Sequence, residues 1–147
     1  MADASGAEVP GIVSVPTLTL DGAQRVLEGS LGHARSIGVP VCIAVADRGG
    51  HLLAFARMDG APVMSATLSQ DKAYTVAAFA GLPTHQWFDL IKDDPPVLAG
   101  IVKTDRLVVF GGGVPIHSGG ALAGAVGVSG GSAEQDRAIA EAGARSI

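Results

Sequence analysis

The stretch VCIAVADRGGHLLAFARMDGA, residues 41–61, decides the fold of this chain. Every residue of its first part, 41–46, is apolar, which is typical of a strand buried on both faces. The run Asp47-Arg48-Gly49-Gly50 predicts a turn, because glycine adopts the positive φ that tight turns require. Residues 51–57 form the returning strand. The stretch therefore predicts a β-hairpin.

Helices and further strands flank this hairpin. We predict a helix over 20–37 that Thr19 caps, and helices over about 62–80 and about 84–92. After a break at 93–96, we predict strands over 107–110, 114–117 and 121–128. A C-terminal helix over about 133–142 follows the capping box 132–135. Strand, helix and strand do not alternate regularly. The order therefore favours an α+β fold, in which helices flank an antiparallel sheet of five strands.

The chain has 147 residues, which predicts one domain over 18–147 after a flexible arm over 1–17. The arm is acidic and lacks the basic and apolar regions of a signal peptide, so we expect a cytoplasmic protein. No apolar run reaches about 18 residues, so we expect no membrane association.

The composition limits the possible partners. Hydrophobic residues make up 48% of the chain and charged residues only 16%, which predicts an apolar surface covered in a homo-oligomer. The net charge is −4 and lysines and arginines do not cluster, so nucleic acid is excluded as a partner. Four histidines and one cysteine lack the spacing of a zinc site, so we expect no bound metal ion of this kind.

Arg57 and Asp59 form the first candidate binding pair, with Met58 between them. Arg57 ends an apolar strand, where its guanidinium could bind a carboxylate through two parallel hydrogen bonds. The alternative is a salt bridge that only fixes the turn after the strand.

Lys72 is a candidate anion anchor or acid/base. It shares a helix face with Ser65 and Ser69, one and two turns away, and this polar face could line a cavity. The alternative is an ordinary solvated helix face.

The run Gly111-Gly112-Gly113, followed by Val114 and Pro115, is a candidate ligand loop. Three glycines exceed what a plain hairpin needs, so backbone N–H groups of Gly112 and Gly113 could face an anion. The alternative is that positive φ alone demands glycine. We expect this loop and the Arg57–Asp59 turn to form two walls of one site.

His51 follows the double glycine of the hairpin turn, and His117 ends a predicted strand. Either imidazole could act as a general acid/base or as a haem ligand, since imidazole titrates near neutral pH and binds iron. The alternative for both is a solvated histidine in a turn.

The runs 45–61, 72–75, 112–116 and 124–136 resemble the GlcG/HbpS-like family, also called the haem-degrading domain family. The likeness extends from about Leu18 to Ala144 with the blocks in order. It implies a profilin-like domain and oligomers built from dimers.

Two functions follow from this resemblance. One is a protein that binds haem or a small anionic aromatic molecule. The other is a cofactor-independent lyase or isomerase acting on an aromatic or oxo acid, such as a hydroxylaminobenzoate. The resemblance assigns no axial haem ligand, and Arg57, Asp59, Lys72 and the glycines suit haem propionates as well as a smaller anion.

Overall fold

A computed structural model describes residues 8–147 of the chain. The elements are α1 (Leu20–Ile37), β1 (Cys42–Asp47), β2 (Leu52–Arg57), α2 (Met64–Ala78), α3 (Trp87–Ile91), α4 (Pro95–Gly100), β3 (Gly113–Ser118), β4 (Ala121–Ser129) and α5 (Ala133–Ala144). Short 3-10 turns at Thr84–Gln86 and Ile101–Lys103 precede α3 and follow α4.

The hairpin predicted from residues 41–61 is confirmed. β1 pairs antiparallel with β2, and Cys42 lies opposite Arg57. β1 also pairs with β4, which in turn pairs with β3, so the sheet has the order β2-β1-β4-β3 and is antiparallel throughout. The two central strands are buried because both of their edges and both of their faces are covered.

Helices cover both faces of the sheet. On one face, α1 and α5 pack against branched side chains such as Ile43, Val126 and Val128. On the other face, α2 packs against a layer of alanines that includes Ala44 and Ala125. Small residues on this second face let the helix approach the strands closely. A Cβ on Gly127 would lie 2.0 Å from the backbone oxygen of Ser69, so only glycine fits there.

The helix ends follow the predicted chemistry. Thr19 Oγ1 accepts a hydrogen bond from the N–H of Gly22 at 3.1 Å, and Gly38 ends α1 with a φ of 69°. Ser132 and Gln135 form the predicted capping box of α5. The predicted bounds of α1 are confirmed.

The prediction of five strands is wrong, because residues 107–110 do not join the sheet. The N–H of Val108 donates to Thr75 Oγ1 on α2 at 3.0 Å, so this segment packs on the helix. Arg106 precedes it with a φ of 62° and Gly112 follows with a φ of 129°, and neither value is compatible with a continuous strand. An apolar run of four residues does not by itself distinguish a strand from a packed loop.

The predicted break at 93–96 is also wrong in part. Asp94 caps α4 by accepting from the N–H of Val97 at 3.3 Å. Pro95 occupies the first turn, where the N–H that proline lacks would have no partner within the helix. The two prolines therefore begin a helix.

The predicted arm over 1–17 lies partly outside the described residues, which begin at residue 8. At its end the chain is bound to the sheet, because the N–H of Leu18 donates to the carbonyl of Ala123 at 2.8 Å and Thr17 Oγ1 accepts from the N–H of Arg48 at 3.2 Å.

Candidate functional site

The hairpin turn between β1 and β2 holds His51 in a defined position. Asp47 Oδ1 accepts hydrogen bonds from the N–H groups of Gly49 at 2.9 Å and His51 at 3.0 Å. The same oxygen lies 3.2 Å from His51 Nδ1. A tautomer that donates from Nδ1 leaves a lone pair on Nε2. The His51 side chain is 82% exposed, so Nε2 is accessible.

This turn packs against α2. Gly50 has a φ of 85°, and a Cβ at this position would lie 3.1 Å from the ring of Tyr74. Between the turn and the helix lies a groove of about 480 Å³, which we name the turn groove. It is lined by Gly50, His51, Leu52, Thr67, Gln70, Asp71 and Arg106.

Arg106 supplies the positive charge of the turn groove. Its Nε donates to Asp71 Oδ1 at 2.9 Å, and its guanidinium carbon lies 4.0 Å from the centre of the Tyr74 ring. Arg106 adopts a positive φ, a backbone conformation that is unfavourable for any residue other than glycine. The ion pair and the ring contact stabilise that conformation.

Arg57, Met58 and Asp59 lie in a different groove, of about 400 Å³, which α1 lines with Leu31 and Arg35. Arg57 and Asp59 form no salt bridge with each other or with any other residue in the range 8–147. The sequence alternative, a salt bridge that fixes the turn, is therefore wrong.

Cys42 lies opposite Arg57 at this end of the sheet and is completely buried. Burial raises the pKa of the Cys42 thiol, and the nearby charge of Arg57 opposes that rise.

Lys72 is buried inside the protein, with 1% of its side chain exposed. Its Nζ donates to the carbonyl of Val128 at 2.8 Å and to Asp136 Oδ2 at 3.1 Å, and it lies 5.0 Å from the centre of the Phe110 ring. The alternative of a solvated helix face is wrong, because α2 packs against β4 and the Lys72 ammonium is bound inside the protein to Val128 of β4 and Asp136 of α5.

Burial lowers the pKa of Lys72 from its ordinary value, while the charge and hydrogen bond of Asp136 oppose this shift. The ammonium thus has a dedicated carboxylate partner. In this arrangement it joins α2, β4 and α5.

The glycine loop lies directly over Lys72. A Cβ on Gly112 would lie 2.4 Å from the carbonyl oxygen of Val128 and 2.7 Å from Lys72 Nζ. A Cβ on Gly113 would lie 2.7 Å from the carbonyl oxygen of Lys72, and the N–H of Gly113 donates to Thr84 Oγ1 at 2.8 Å. Close packing therefore accounts for glycine at both positions.

Pro115 and His117 face two further grooves. Pro115 lines one with His85, Arg137 and Arg145, while His117 lines another with Leu18. Burial lowers the pKa of His85, the charge of Arg137 lowers it further, and Glu141 opposes both. Within residues 8–147, no hydrogen-bond partner lies near His85 Nδ1.

The expected single site with two walls is thus distributed over several surfaces. Lys72 and Gly112 lie together in the interior, Arg57 to Asp59 line a groove with α1, and His51 lies in the turn groove.

Sequence reasoning missed three partners: Asp47, Arg106 and Asp136. Asp47 could have been found from its position four residues before His51. Arg106 and Asp136 are brought to their partners by packing over 35 and 64 residues, and no local signal marks them.

Residues 8–147 contain neither a membrane-spanning helix nor a metal-binding cluster. No helix there is long and apolar enough to cross a membrane. No three side chains of His, Cys, Asp or Glu are grouped so that they could hold a metal ion, and the absence of zinc stays a prediction.

The model of the family described as haem degrading protein HbpS-like matches residues 18–145. A 15.0 kDa protein from the dhaT–dhaS intergenic region of Citrobacter freundii is 41% identical over 129 residues, which cover 86% of this chain and 89% of that protein.

Solved structures share the fold. The Klebsiella pneumoniae protein ORFY superposes with a TM-score of 0.85 and 32% identity, covering 95% of this chain and 97% of its own. The crystal structure of a PduOC:haem complex gives a TM-score of 0.80 and 30% identity, covering 89% of this chain and 95% of its own.

Proposed function

We propose that this chain, which belongs to the HbpS-like family of haem degrading proteins, binds haem in the turn groove through His51. The family membership inferred from the sequence is confirmed. Haem binding is supported by the related PduOC structure, which was solved as a haem complex. The observation that carries the proposal is the exposed His51 imidazole, held by Asp47 in a groove that Arg106 also lines.

His51 has the surroundings of a metal-binding histidine. Such residues commonly donate one ring N–H to a carboxylate, which fixes the orientation and the tautomer of the ring. Asp47 is in position to do this at 3.2 Å from Nδ1. Two backbone N–H groups bind the same carboxylate oxygen, so the turn keeps Asp47 in place.

The other lining residues suit the rest of the haem. Arg106 uses its Nε for Asp71, and its remaining N–H groups are available to a propionate. Leu52 is half exposed and offers an apolar contact to the porphyrin. When bound, haem would supply an iron centre whose reactivity depends on its axial ligand and on the polarity around it.

The proposal is tested by titrating haemin into the protein and recording the Soret band. We expect saturable binding with a shifted Soret maximum. Arg106→Ala should weaken binding and leave the position of the maximum unchanged, because the iron ligand is still present. A spectrum that stays identical to that of free haemin at all protein concentrations would refute haem binding.

A second candidate ligand is a small aromatic or oxo acid in the groove of Arg57. Two guanidiniums, of Arg35 and Arg57, line that groove, and neither has a salt-bridge partner within 8–147. Such a pair favours a carboxylate. An acid of this class is also the substrate of the alternative function, a lyase or isomerase, which needs an acid/base at the ligand. None of the three acid/base candidates lines this groove, because His51 and His117 line other grooves and the Lys72 ammonium is bound to Asp136. The groove therefore supports binding of the acid more directly than its turnover.

A further inference from the structure

A groove of about 320 Å³ lies between α5, strand β3 and the 3-10 turn that precedes α3, and we name it the α5 groove. It shares no lining residue with the turn groove or with the groove of Arg57. The α5 groove is therefore a separate candidate site, and neither proposed ligand of the other two grooves uses it.

Three charged side chains of α5 and its C-terminal cap line the α5 groove. Arg137, Glu141 and Arg145 follow one another at intervals of four residues, which places them along one side of the helix. Glu141 Oε1 accepts from Arg137 Nε at 2.8 Å, so the other N–H groups of Arg137 remain available to a ligand. Arg145 forms no salt bridge within residues 8–147. Two positive charges and one negative charge thus line the groove of a chain whose net charge is −4, and this local excess favours an anion.

The 3-10 turn adds two uncharged donors to the lining, His85 and Gln86. Burial lowers the pKa of His85, the charge of Arg137 lowers it further and Glu141 raises it, so the imidazole lies close to both side chains of α5 and is uncharged at pH 7. Its buried ring nitrogen without a partner is Nδ1, which leaves Nε2 to donate towards a ligand. Donors therefore reach the groove from two elements of the fold.

This distribution of donors favours a phosphate group over a carboxylate. A carboxylate has two oxygens in one plane, which a single guanidinium binds through two parallel hydrogen bonds. A phosphate group has three terminal oxygens that point in different directions, so donors from separate elements can each bind one.

The rest of the lining is apolar and includes Val114, Pro115 and Ala144. These side chains would contact an organic substituent on the phosphate. A cavity of about 150 Å³ holds benzene, so the volume of the α5 groove leaves room for a phosphate group beside one ring.

We propose that the α5 groove binds a small phosphomonoester, with Arg137 and Arg145 on the phosphate oxygens and Val114 and Pro115 against the organic substituent. The site is independent of haem binding, because none of its residues lines the turn groove.

The test is a calorimetric titration with phenyl phosphate at pH 8. A phosphomonoester is a dianion at this pH, since its second pKa is about 6, and His85 stays uncharged. We expect saturable binding at one site. Benzoate, with one charge and two oxygens, should bind about tenfold less tightly, the effect of one charge-assisted hydrogen bond. Inorganic phosphate should also bind less tightly, because it has no substituent to contact the apolar lining.

Two pairs of variants identify the site. Arg145→Gln should weaken the binding of phenyl phosphate about tenfold, whereas Arg25→Gln on α1 should not change it. Glu141→Gln should strengthen binding, because it removes the negative charge of the lining, whereas Glu134→Gln in the first turn of α5 should not. None of the four side chains is fully buried, so we expect every variant to fold.

His51→Ala should bind phenyl phosphate as tightly as the wild type, which separates this proposal from the haem site. Its loss of binding would place the ligand in the turn groove and overturn the proposal. The proposal would also be overturned by a lack of saturable binding, by equal affinities within either pair of variants, or by benzoate or inorganic phosphate binding as tightly as phenyl phosphate.

Discussion

The ammonium of Lys72 and the carboxylate of Asp136 form an ion pair, 3.1 Å apart, in the interior of the protein. The pair connects α2 to α5 through the end of β4, whose Val128 carbonyl also accepts from Lys72. Asp136 Oδ1 in turn accepts from the N–H of Gly131 at 2.8 Å, just before α5. This network joins α2 and α5, which lie on opposite faces of the sheet, to the end of β4.

Asp136→Asn should destabilise the protein by about 3–5 kcal/mol, because it leaves the charge of Lys72 buried without its partner. The amide oxygen can still accept from the N–H of Gly131, but the NH₂ group that replaces Oδ2 cannot accept from Lys72, so the change removes both the charge and this hydrogen bond. Chemical denaturation gives the free energy of unfolding.

The double variant Lys72→Met with Asp136→Asn should recover much of the loss. Asp21→Asn, in the exposed pair with Arg25, should cost under about 1 kcal/mol and serves as the control. Similar losses for both single variants would contradict the network.

Gly112→Ala should lower the melting temperature strongly, since the added Cβ would overlap the carbonyl of Val128 and the Lys72 ammonium. Gly32→Ala on α1 is the matched control. No atom lies within 4 Å of its added Cβ, and alanine in a helix is favoured by about 1 kcal/mol, so this variant should be more stable. If Gly112→Ala keeps its melting temperature but loses ligand affinity, the glycine is there for a ligand.

The stability should depend on pH through His85, whose pKa is lowered by burial. Below about pH 6.5 the unfolded chain binds a proton at His85, whereas the folded chain binds it only at a lower pH. The contribution of His85 to the free energy of unfolding is therefore largest above that pH, and it falls as the pH decreases from there to the lowered pKa of the folded chain. His85→Gln should make the fall shallower, because it removes the group whose pKa differs between the folded and unfolded chain. Denaturation curves at several pH values measure both slopes, and equal slopes for the wild type and His85→Gln would contradict the burial of an uncharged imidazole.

Much of the fold could be predicted from the sequence because its signals are local. The hairpin at residues 41–61, the cap of α1 at Thr19 and the capping box of α5 each depend on neighbouring residues. The fifth strand was predicted wrongly because Val108 bonds to Thr75, 33 residues away. The candidate site was predicted less well for the same reason. The predicted polar face of Ser65, Ser69 and Lys72 is buried against the sheet, and the partner of Lys72 there is Asp136, which another element supplies.

Arg57→Ala should weaken the binding of a carboxylate such as benzoate by about 1.5–3 kcal/mol, the contribution of a charge-assisted hydrogen bond. Arg57→Lys should also weaken it, since lysine lacks the planar fork of donors. Stability should change by less than about 0.5 kcal/mol, because Arg57 is exposed and has no salt bridge in the described chain. Calorimetric titration measures the affinity, and Arg25→Ala on the exposed side of α1 is the control. Unchanged benzoate affinity would show that the groove does not bind carboxylates.

The protein should form a dimer or a larger oligomer. Large apolar side chains at Val63, Met64, Phe88 and Leu90 are all more than half exposed, and a partner subunit would cover them. Light scattering at micromolar concentration should give a multiple of 14.7 kDa. A mass near 14.7 kDa would show that the chain is monomeric.

Haem binding through His51 is tested most directly by comparing the Soret spectra of two histidine variants saturated with haemin. His51→Ala removes the imidazole beside Asp47, while His117→Ala removes an exposed imidazole from another groove. We predict that His117→Ala retains the wild-type Soret maximum, and that His51→Ala shifts it to that of haem without an imidazole ligand and lowers the affinity. A wild-type Soret maximum and affinity in His51→Ala would contradict the assignment of His51 as the iron ligand.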